Sequence, residues 1–403
     1  MTKNIDEVLS RGVAEILPNT DSLKNLMDTK KIRVYLGIDP TGSLLTLGHS
    51  VVLRKLQQFA DLGHEVILMI GNGTVKIGDP TGKDTTRPEL TDEQIAENFK
   101  NWKEQASKVL DFDKIEIKYN GDWLDNLKMT EVIKLMAKVT VQQLIERDMF
   151  QKRLEEGKPI YGHEIMYPLL QGYDSVAMDV DLEIGGTDQT FNMMMGRTLQ
   201  KTYNNHEKWV LTTPIINGTD GRKMSKSYNN FIALTENPND MYGKLMSVAD
   251  EMIIPYFTLL TDISIEEISE MKKKIATGDN PMEFKKQLAQ TITEMYHNSE
   301  KAVAAAENFK ITVQNKSASD ITPNLVLQTN GDSSHNIATN ASIFEIVKMA
   351  MPNESNSNIH RLIEQGAVSI DGEKITDPNG EITPKSGSIL KTGKRNFYKI
   401  ILK

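Results

Sequence analysis

Five short apolar runs, spaced along the first half of the chain with helical-period stretches between them, restrict the fold more than any other feature. They extend from Ile32 to Ile38, Val66 to Ile70, Ile115 to Tyr119, Asp181 to Ile184 and Trp209 to Ile216. Strand and helix in repetition is the pattern of a parallel sheet covered on both faces, so the expected class is α/β with a doubly wound sheet. Leu47 to Leu62 carries the helical period, with Gly63 placed as its stop. The polar residues share one address. Asp39, Asn120 and Asp188 each follow the end of a run, and Asp79 lies in the loop after another. In open α/β sheets, ligands bind in the crevice at the carboxyl ends of the strands. Turn chemistry would account for any one of these residues alone. Four at equivalent places point to a ligand site.

The pattern changes in the second half. From about Phe231 to Phe309 it is purely helical, and residues 312–340 are rich in Asn, Ser, Thr and Asp with little apolar period. Order resumes at Ile343. Ile359 to Gly366 reads as a short amphipathic helix with a glycine stop, and Val368 to Ile375 as a hairpin turning on Asp371-Gly372. Short strands are expected at Ile389 to Lys391 and Phe397 to Leu402. The expected division is an α/β domain over 1–229, a helical domain over 230–312, a linker over 313–340 and a small α+β domain over 341–403.

A length of 403 residues leaves room for two or three domains and a large core. No run approaches the ~20 apolar residues of a membrane span. The N-terminal residues lack an apolar signal core, so the expectation is a cytoplasmic protein with no membrane partner. Zero cysteines exclude disulfides, thiol catalysis and cysteine-based zinc sites. The seven histidines are scattered, so any metal is expected to arrive with a nucleotide. A net charge of −8 argues against a surface coated for nucleic acid. Yet Lys385, Lys391, Lys394, Arg395, Lys399 and Lys403 follow Pro384 with no acidic residue among them. Such a local basic tail suits a specific RNA.

Four motifs carry chemistry. Lys223-Met224-Ser225-Lys226-Ser227 sets two lysines on a loop introduced by Asn217 to Arg222. Mobile ammonium groups can close over a polyphosphate and neutralise charge as it shifts in the transition state, although most lysine pairs are solvated loops. Leu47-Gly48-His49 delivers the chain into a helix start, where backbone N–H groups attract phosphate. Gly48 admits a flat base or ribose and His49 adds a donor; a lone histidine there is otherwise a cap. Tyr167, Gln171 and Asp174 stand at i, i+4 and i+7, on one helix face flanked by Met166, Leu169, Leu170, Tyr173 and Val176. A polar stripe beside so much apolar surface needs partners. Pro168 should kink that helix or mark its first turn. Gly78 to Lys83 is not a phosphate loop, because its glycines are spaced by three residues and Asp84 replaces the magnesium-binding hydroxyl. Lys83 and Arg87 read instead as mobile cations that reach pyrophosphate, or as part of a solvated loop.

Tyr35 to Thr41, Ile77 to Lys83, Tyr167 to Asp174, Gly185 to Gln189 and the lysine motif, in that order, resemble the signature segments of the bacterial tyrosyl-tRNA synthetase family, within the class I aminoacyl-tRNA synthetases. The last segment resembles that family's C-terminal RNA-binding module. The resemblance implies a Rossmann-like catalytic domain, a helical anticodon-side domain and a small RNA-binding domain. It implies L-tyrosine, ATP with magnesium and tRNA(Tyr) as partners, no zinc, and a homodimer. Tyr167, Gln171 and Asp79 would hold the substrate α-ammonium, and Asp174 with Tyr35 the phenolic hydroxyl; Asn120 and Gln189 would also serve tyrosine. Asp39, Gly48, His49, Gly186 and Asp188 would bind ATP, Asp188 through the ribose, with Gln189 near the α-phosphate. Thr41, Thr46, Lys83, Arg87, Lys223 and Lys226 would meet the phosphates.

Two departures stand out. The family usually carries histidine where Thr46 stands, and many relatives have Trp-Gly where this chain has Thr190-Phe191. Three other readings stay open. Asp174 and Tyr35 argue against a tryptophanyl enzyme, because indole offers one donor and no hydroxyl, and the C-terminal module is foreign to it. A small-molecule adenylyltransferase would keep Gly48-His49 but not the helical domain or the basic tail. A tRNA-binding paralogue without catalysis is the reading that Thr46 encourages.

Overall fold

The computed structural model describes residues 4–80, 90–226, 228–314, 324–327, 341–352, 354–383, 385–393 and 396–402. Lys83, Arg87 and Ser227 therefore lie outside the described residues. The chain divides into two units, 1–302 and 303–403.

The first unit is built on a six-stranded sheet of β1 (Glu15–Leu17), β2 (Arg33–Ile38), β3 (Glu65–Ile70), β4 (Ile115–Tyr119), β5 (Leu182–Gly186) and β6 (Trp209–Thr213). Their order is β1-β6-β5-β2-β3-β4. β2 pairs in parallel with β3, Val34 opposite Val66, and with β5, Leu36 opposite Ile184. The chain winds outward from β2 in one direction through β3 and β4, then returns to its other side for β5 and β6. That reversal places a topological switch point between β2 and β5. Val34, Tyr35, Leu36, Leu182 and Ile184 are buried, as strands covered on both faces must be.

The doubly wound α/β class is as expected, with one addition. β1 pairs antiparallel with β6, Ile16 opposite Leu211; three residues are too few to show a period in the sequence. β6 stops at Thr213 because Pro214 has no N–H to continue the ladder. The helix Leu47–Asp61 buries Leu47, Val51, Leu53, Leu56 and Phe59, and Gly63 beyond its end takes φ +81°. The helix Gly162–Met178 holds Pro168 within it. It packs closely on the helix Thr190–Asn204 because Gly172 has no side chain; a Cβ there would meet Gly196 N at 3.1 Å. Helices Pro238–Met246, Ile253–Leu260, Ile265–Ala276 and Pro281–Tyr296 follow, with Leu245, Phe257, Leu288 and Ile292 fully buried.

The second unit holds a five-stranded sheet and the helices Ile343–Ala350 and Asn356–Glu364. Ile343, Ile346, Ile359, Ile363, Val368, Leu390 and Ile400 form its core. In the hairpin of Val368–Ile370 with Glu373–Ile375, Asp371 and Gly372 take φ +49° and +91°. Positive φ at both turn positions matches the twist of the strands. Asn324–Leu327, within the stretch of linker-like composition, pairs in parallel with Asn396–Leu402 through the buried Leu325 and Leu327.

Candidate active site

A cavity of about 330 Å³ opens at the carboxyl ends of β2 and β5, at the switch point. Asp39 and Thr41 reach it from the turn after β2, and Thr46, Gly48 and His49 from the following helix start. Asp79 comes from the loop beyond β3, and Tyr167, Gln171 and Asp174 from one face of the Gly162–Met178 helix. Gly186, Asp188 and Gln189 follow β5, and Lys223 comes from the lysine loop. Segments far apart in sequence thus line one space.

One side of the cavity is a net of carboxylates with assigned donors. Asp174 is fully buried; Trp123 Nε1 donates to its Oδ1 at 2.8 Å and Asn120 Nδ2 to its Oδ2 at 3.2 Å. Burial pushes its carboxyl well above the usual range, and those two donors pull partly against the shift. The Tyr167 hydroxyl donates to Asp39 Oδ2 at 2.8 Å, while Thr74 Oγ1 donates to Asp39 Oδ1 at 2.8 Å. Gln189 Nε2 donates to Asp79 Oδ2 at 2.8 Å, and Gln171 Nε2 to Glu183 Oε1 at 3.1 Å. Oxygen acceptors gathered in this way suit a cation and a hydroxyl donor.

Groups suited to phosphate and sugar also meet the cavity. Thr46 N–H donates to His49 Nδ1 at 3.1 Å, and Thr46 Oγ1 lies 2.8 Å from the same nitrogen. His49 therefore carries its proton on Nε2 as a neutral donor. Burial, with Lys226 adding repulsion, lowers its pKa to about 4. Lys223 Nζ lies 2.8 Å from Asp188 Oδ2. Asp188 can fold back because Gly186 has no side chain, a Cβ there falling 2.6 Å from Asp188 Oδ1. Lys226 reaches the turn after β2; its Nζ would stand 3.3 Å from a Cβ at Gly42. The segment that follows the lysine loop is joined to the helix start: Leu47 N–H donates to the Ile232 carbonyl and Leu234 N–H to that of Leu45, both at 2.9 Å.

Two residues expected at the site stand behind its wall. Tyr35 is fully buried, with its hydroxyl 3.0 Å from Ser175 Oγ. Asn120 bonds Asp174, Thr74 Oγ1 and Gly73 N–H. Trp123, Glu183, Lys208 and Asn230 were not singled out from the sequence. Glu183 left one signal, a charged residue inside an apolar strand. Trp123 left none, because its partner Asp174 comes from another segment; Asn230 left none, because an asparagine beside its own loop reads as turn chemistry.

The family described as class I tRNA synthetases (W and Y) matches residues 27–314. The tyrosine–tRNA ligase of Thermotoga maritima is 45% identical over 396 residues, 98% of this chain and 96% of that one. The tyrosine–tRNA ligase of Moorella thermoacetica is 43% identical over 399 residues, covering 98% and 94%. Among solved structures, a tyrosyl-tRNA synthetase complexed with L-tyrosine from Archaeoglobus fulgidus superposes with a TM-score of 0.60 at 21% identity, over 75% of this chain and 100% of that one. A C-terminally truncated mitochondrial tyrosyl-tRNA synthetase from Aspergillus nidulans superposes with a TM-score of 0.65 at 20% identity, over 76% and 93%. At those identities the structures speak for the fold.

Proposed function

The chain belongs to the class I tRNA synthetases of the tryptophan and tyrosine group, and from that premise we propose how its cavity works as a tyrosine–tRNA ligase. Its reaction is activation of L-tyrosine by ATP to tyrosyl-adenylate and pyrophosphate, then transfer of tyrosyl to the 3′ end of tRNA(Tyr). The observation that carries the site reading is the buried Asp174 on the same helix face as Tyr167 and Gln171, with Asp79 on the same cavity.

In this reading Asp174 accepts the phenolic hydroxyl. Phenylalanine would leave that carboxylate buried without the donor it expects, which supports tyrosine over phenylalanine; tyrosine over tryptophan is supported by the tyrosine–tRNA ligases the chain is similar to. Asn120 and Trp123 hold Asp174 in place. Tyr35 joins the phenol only if its hydroxyl turns from Ser175. Asp79, Tyr167 and Gln171 take the α-ammonium, leaving the tyrosine carboxylate free to attack the α-phosphate in line, near Gln189. Asp39, Gly48 and Gly186 pack on the adenosine side and Asp188 holds the ribose. Thr41, His49, Lys223 and Lys226 stabilise the departing pyrophosphate, joined by Lys83 and Arg87; Thr46 orients His49. No side chain forms a bond to substrate, so catalysis is positioning and charge stabilisation. Magnesium enters as MgATP; among the described residues no group of three or more His, Asp or Glu side chains gathers to hold a metal ion.

The domain division of the sequence reading is proposed with it: catalytic 1–229, helical 230–312, linker 313–340 and RNA-binding 341–403. The end of the sheet at Thr213 and the all-helical stretch from Pro238 to Phe309 support it. Binding of tRNA is supported by Lys385, Lys391 and Lys399 in a segment without acidic residues. A homodimer is supported by Met129, Ile133 and Met136 on one short helix, exposed with Val141 and Leu154. A cytoplasmic location is proposed with it. Among the described residues no helix is long and apolar enough to cross a membrane.

Amino-acid-dependent ATP–pyrophosphate exchange is the test. Exchange with tyrosine alone is expected. Exchange with tryptophan would move the substrate, and exchange with neither would leave a tRNA-binding protein.

A further inference from the structure

One ion pair against the cavity wall has no part in the steps above. Lys208 is 0% exposed and Glu183, which lines the cavity, is 2% exposed. The three protons of Lys208 Nζ each have an acceptor: Glu183 Oε2, Ser175 Oγ at 2.8 Å and the Met193 carbonyl at 3.2 Å. Space for this head group comes from Gly196, where a Cβ would fall 2.4 Å from Nζ and 2.6 Å from Ser175 Oγ. A buried ion pair is seldom more stabilising than well-packed apolar side chains of the same size, so stability alone gives no reason for this one.

The second oxygen of Glu183 supplies a reason. Glu183 Oε1 accepts from Gln171 Nε2 at 3.1 Å. An ionised carboxylate can only accept, so Gln171 must turn its NH₂ toward Glu183 and its carbonyl oxygen away. A glutamine without such a neighbour could present either end, and an NH₂ facing an ammonium group would repel it. We propose that the Glu183–Lys208 pair strengthens recognition of the substrate α-ammonium by fixing the Gln171 amide with its carbonyl oxygen toward it. The inference rests on the reading of Gln171 as an ammonium acceptor. Lys208 has a second effect. Because it cancels the charge of Glu183, that carboxylate does not compete with Asp79 for the ammonium and draw tyrosine out of register.

The double variant Glu183→Gln/Lys208→Met removes both charges at similar volume. Two readouts are compared: tyrosine-dependent ATP–pyrophosphate exchange, and its inhibition by 3-(4-hydroxyphenyl)propionate, which keeps the phenol and carboxylate but lacks the ammonium. The tyrosine KM should rise about tenfold, while the ATP KM and the inhibition constant of the analogue stay within about twofold. Equal weakening of tyrosine and the analogue would mean a packing role only, and unchanged discrimination between them would also overturn the proposal. Gln171→Ala separates the two levels. If it abolishes the discrimination and the double variant does not, the Glu183 inference falls and the Gln171 reading stands. If Gln171→Ala keeps the discrimination, the reading beneath both falls. Should the double variant not fold, Glu183→Gln/Lys208→Gln, which removes both charges but keeps a hydrogen bond between the two positions, carries the same readout.

Discussion

Lys223 Nζ and Asp188 Oδ2 lie 2.8 Å apart, so the lysine loop and the proposed ribose carboxylate hold each other beside the cavity. Both side chains are partly exposed, at 53% and 31%, and such a pair contributes about 0–1 kcal/mol. It is readily exchanged for ribose hydroxyls and phosphate oxygens. ATP should therefore pull Lys223 from Asp188 at little cost.

Lys226 makes the sharper test of the loop. It is half-buried beside the turn after β2, and burial lowers its pKa. A desolvated cation interacts more strongly with charge that develops nearby. Lys226→Ala should lower the exchange rate constant about 100-fold with the tyrosine KM unchanged. A raised tyrosine KM with an intact rate constant would count against its place at the phosphates.

Asp174 predicts a dependence on pH. Burial raises its carboxyl well above the usual range. A raised folded pKa means that the protonated form is favoured in the fold, with a stability contribution present at low pH and lost as pH rises through the folded value. Asp174→Asn leaves one of the two donors facing an NH₂ group at any pH, so its effect on the melting temperature should be more favourable at pH 7 than at pH 4. Under the proposed role of Asp174, in which the tyrosine hydroxyl donates to the ionised form, tyrosine binding has the opposite sign. The tyrosine KM should climb as pH falls through the raised pKa, and Asp174→Asn should bind tyrosine weakly at every pH. A pH-independent wild-type KM over that window would contradict the assignment.

Some of this arrangement was legible because polar residues interrupt apolar runs. Asp39 and Asp188 announce themselves where strands end, and Tyr167, Gln171 and Asp174 share a helix face by spacing alone. Lys208 is different. A lysine just before Trp209 reads as a solvated strand end, and only its approach to Glu183, Ser175 and Gly196 shows that it is buried. Tyr35 follows the same logic in reverse: its place on β2 is legible, but the direction of its hydroxyl depends on Ser175, which a one-dimensional pattern cannot supply. β1 was too short to carry a period.

The Thr46–His49 contact addresses the missing histidine of the first signature. Thr46 N–H and Oγ1 both engage His49 Nδ1, and under the proposed reading the effect of Thr46 on phosphate passes through His49. With its pKa lowered to about 4, His49 stays neutral above roughly pH 5. Its contribution to stability is present above the ordinary value near 6.5 and lost as pH falls through about 4. The exchange rate should therefore show no imidazole titration between pH 6 and 8. Thr46→Ala, which keeps the backbone N–H, should cost about 1 kcal/mol of stability and less activity than His49→Ala. An equal loss of activity in both variants would give Thr46 a direct role at the phosphates.

Asn230 predicts how the lysine loop is held ready. It is 2% exposed. Its Nδ2 donates to Asp220 Oδ1 at 2.6 Å and to the carbonyls of Arg222 and Lys223 at 3.2 and 3.1 Å. Its Oδ1 accepts from Ser225 N–H at 2.8 Å, and its carbonyl from Thr219 N–H at 3.0 Å. Asn230, then Arg222, hold the Asp220 carboxyl down at about 2, so this anchor stays ionised at neutral pH. Gly218 lets the strand of contacts close, since a Cβ there would fall 2.3 Å from the Asn230 carbonyl oxygen. Asn230→Ala would free the backbone that carries both lysines. It should raise the ATP KM and lower the exchange rate constant by about 10- to 100-fold, with the tyrosine KM unchanged. Trypsin should also cut the loop faster at Arg222, Lys223 or Lys226, with ATP restoring protection. Asn230→Asp should be worse, because a carboxylate cannot donate to the two carbonyls and would face Asp220. Wild-type trypsin resistance together with a wild-type rate constant in Asn230→Ala would show that the lysines are positioned without it.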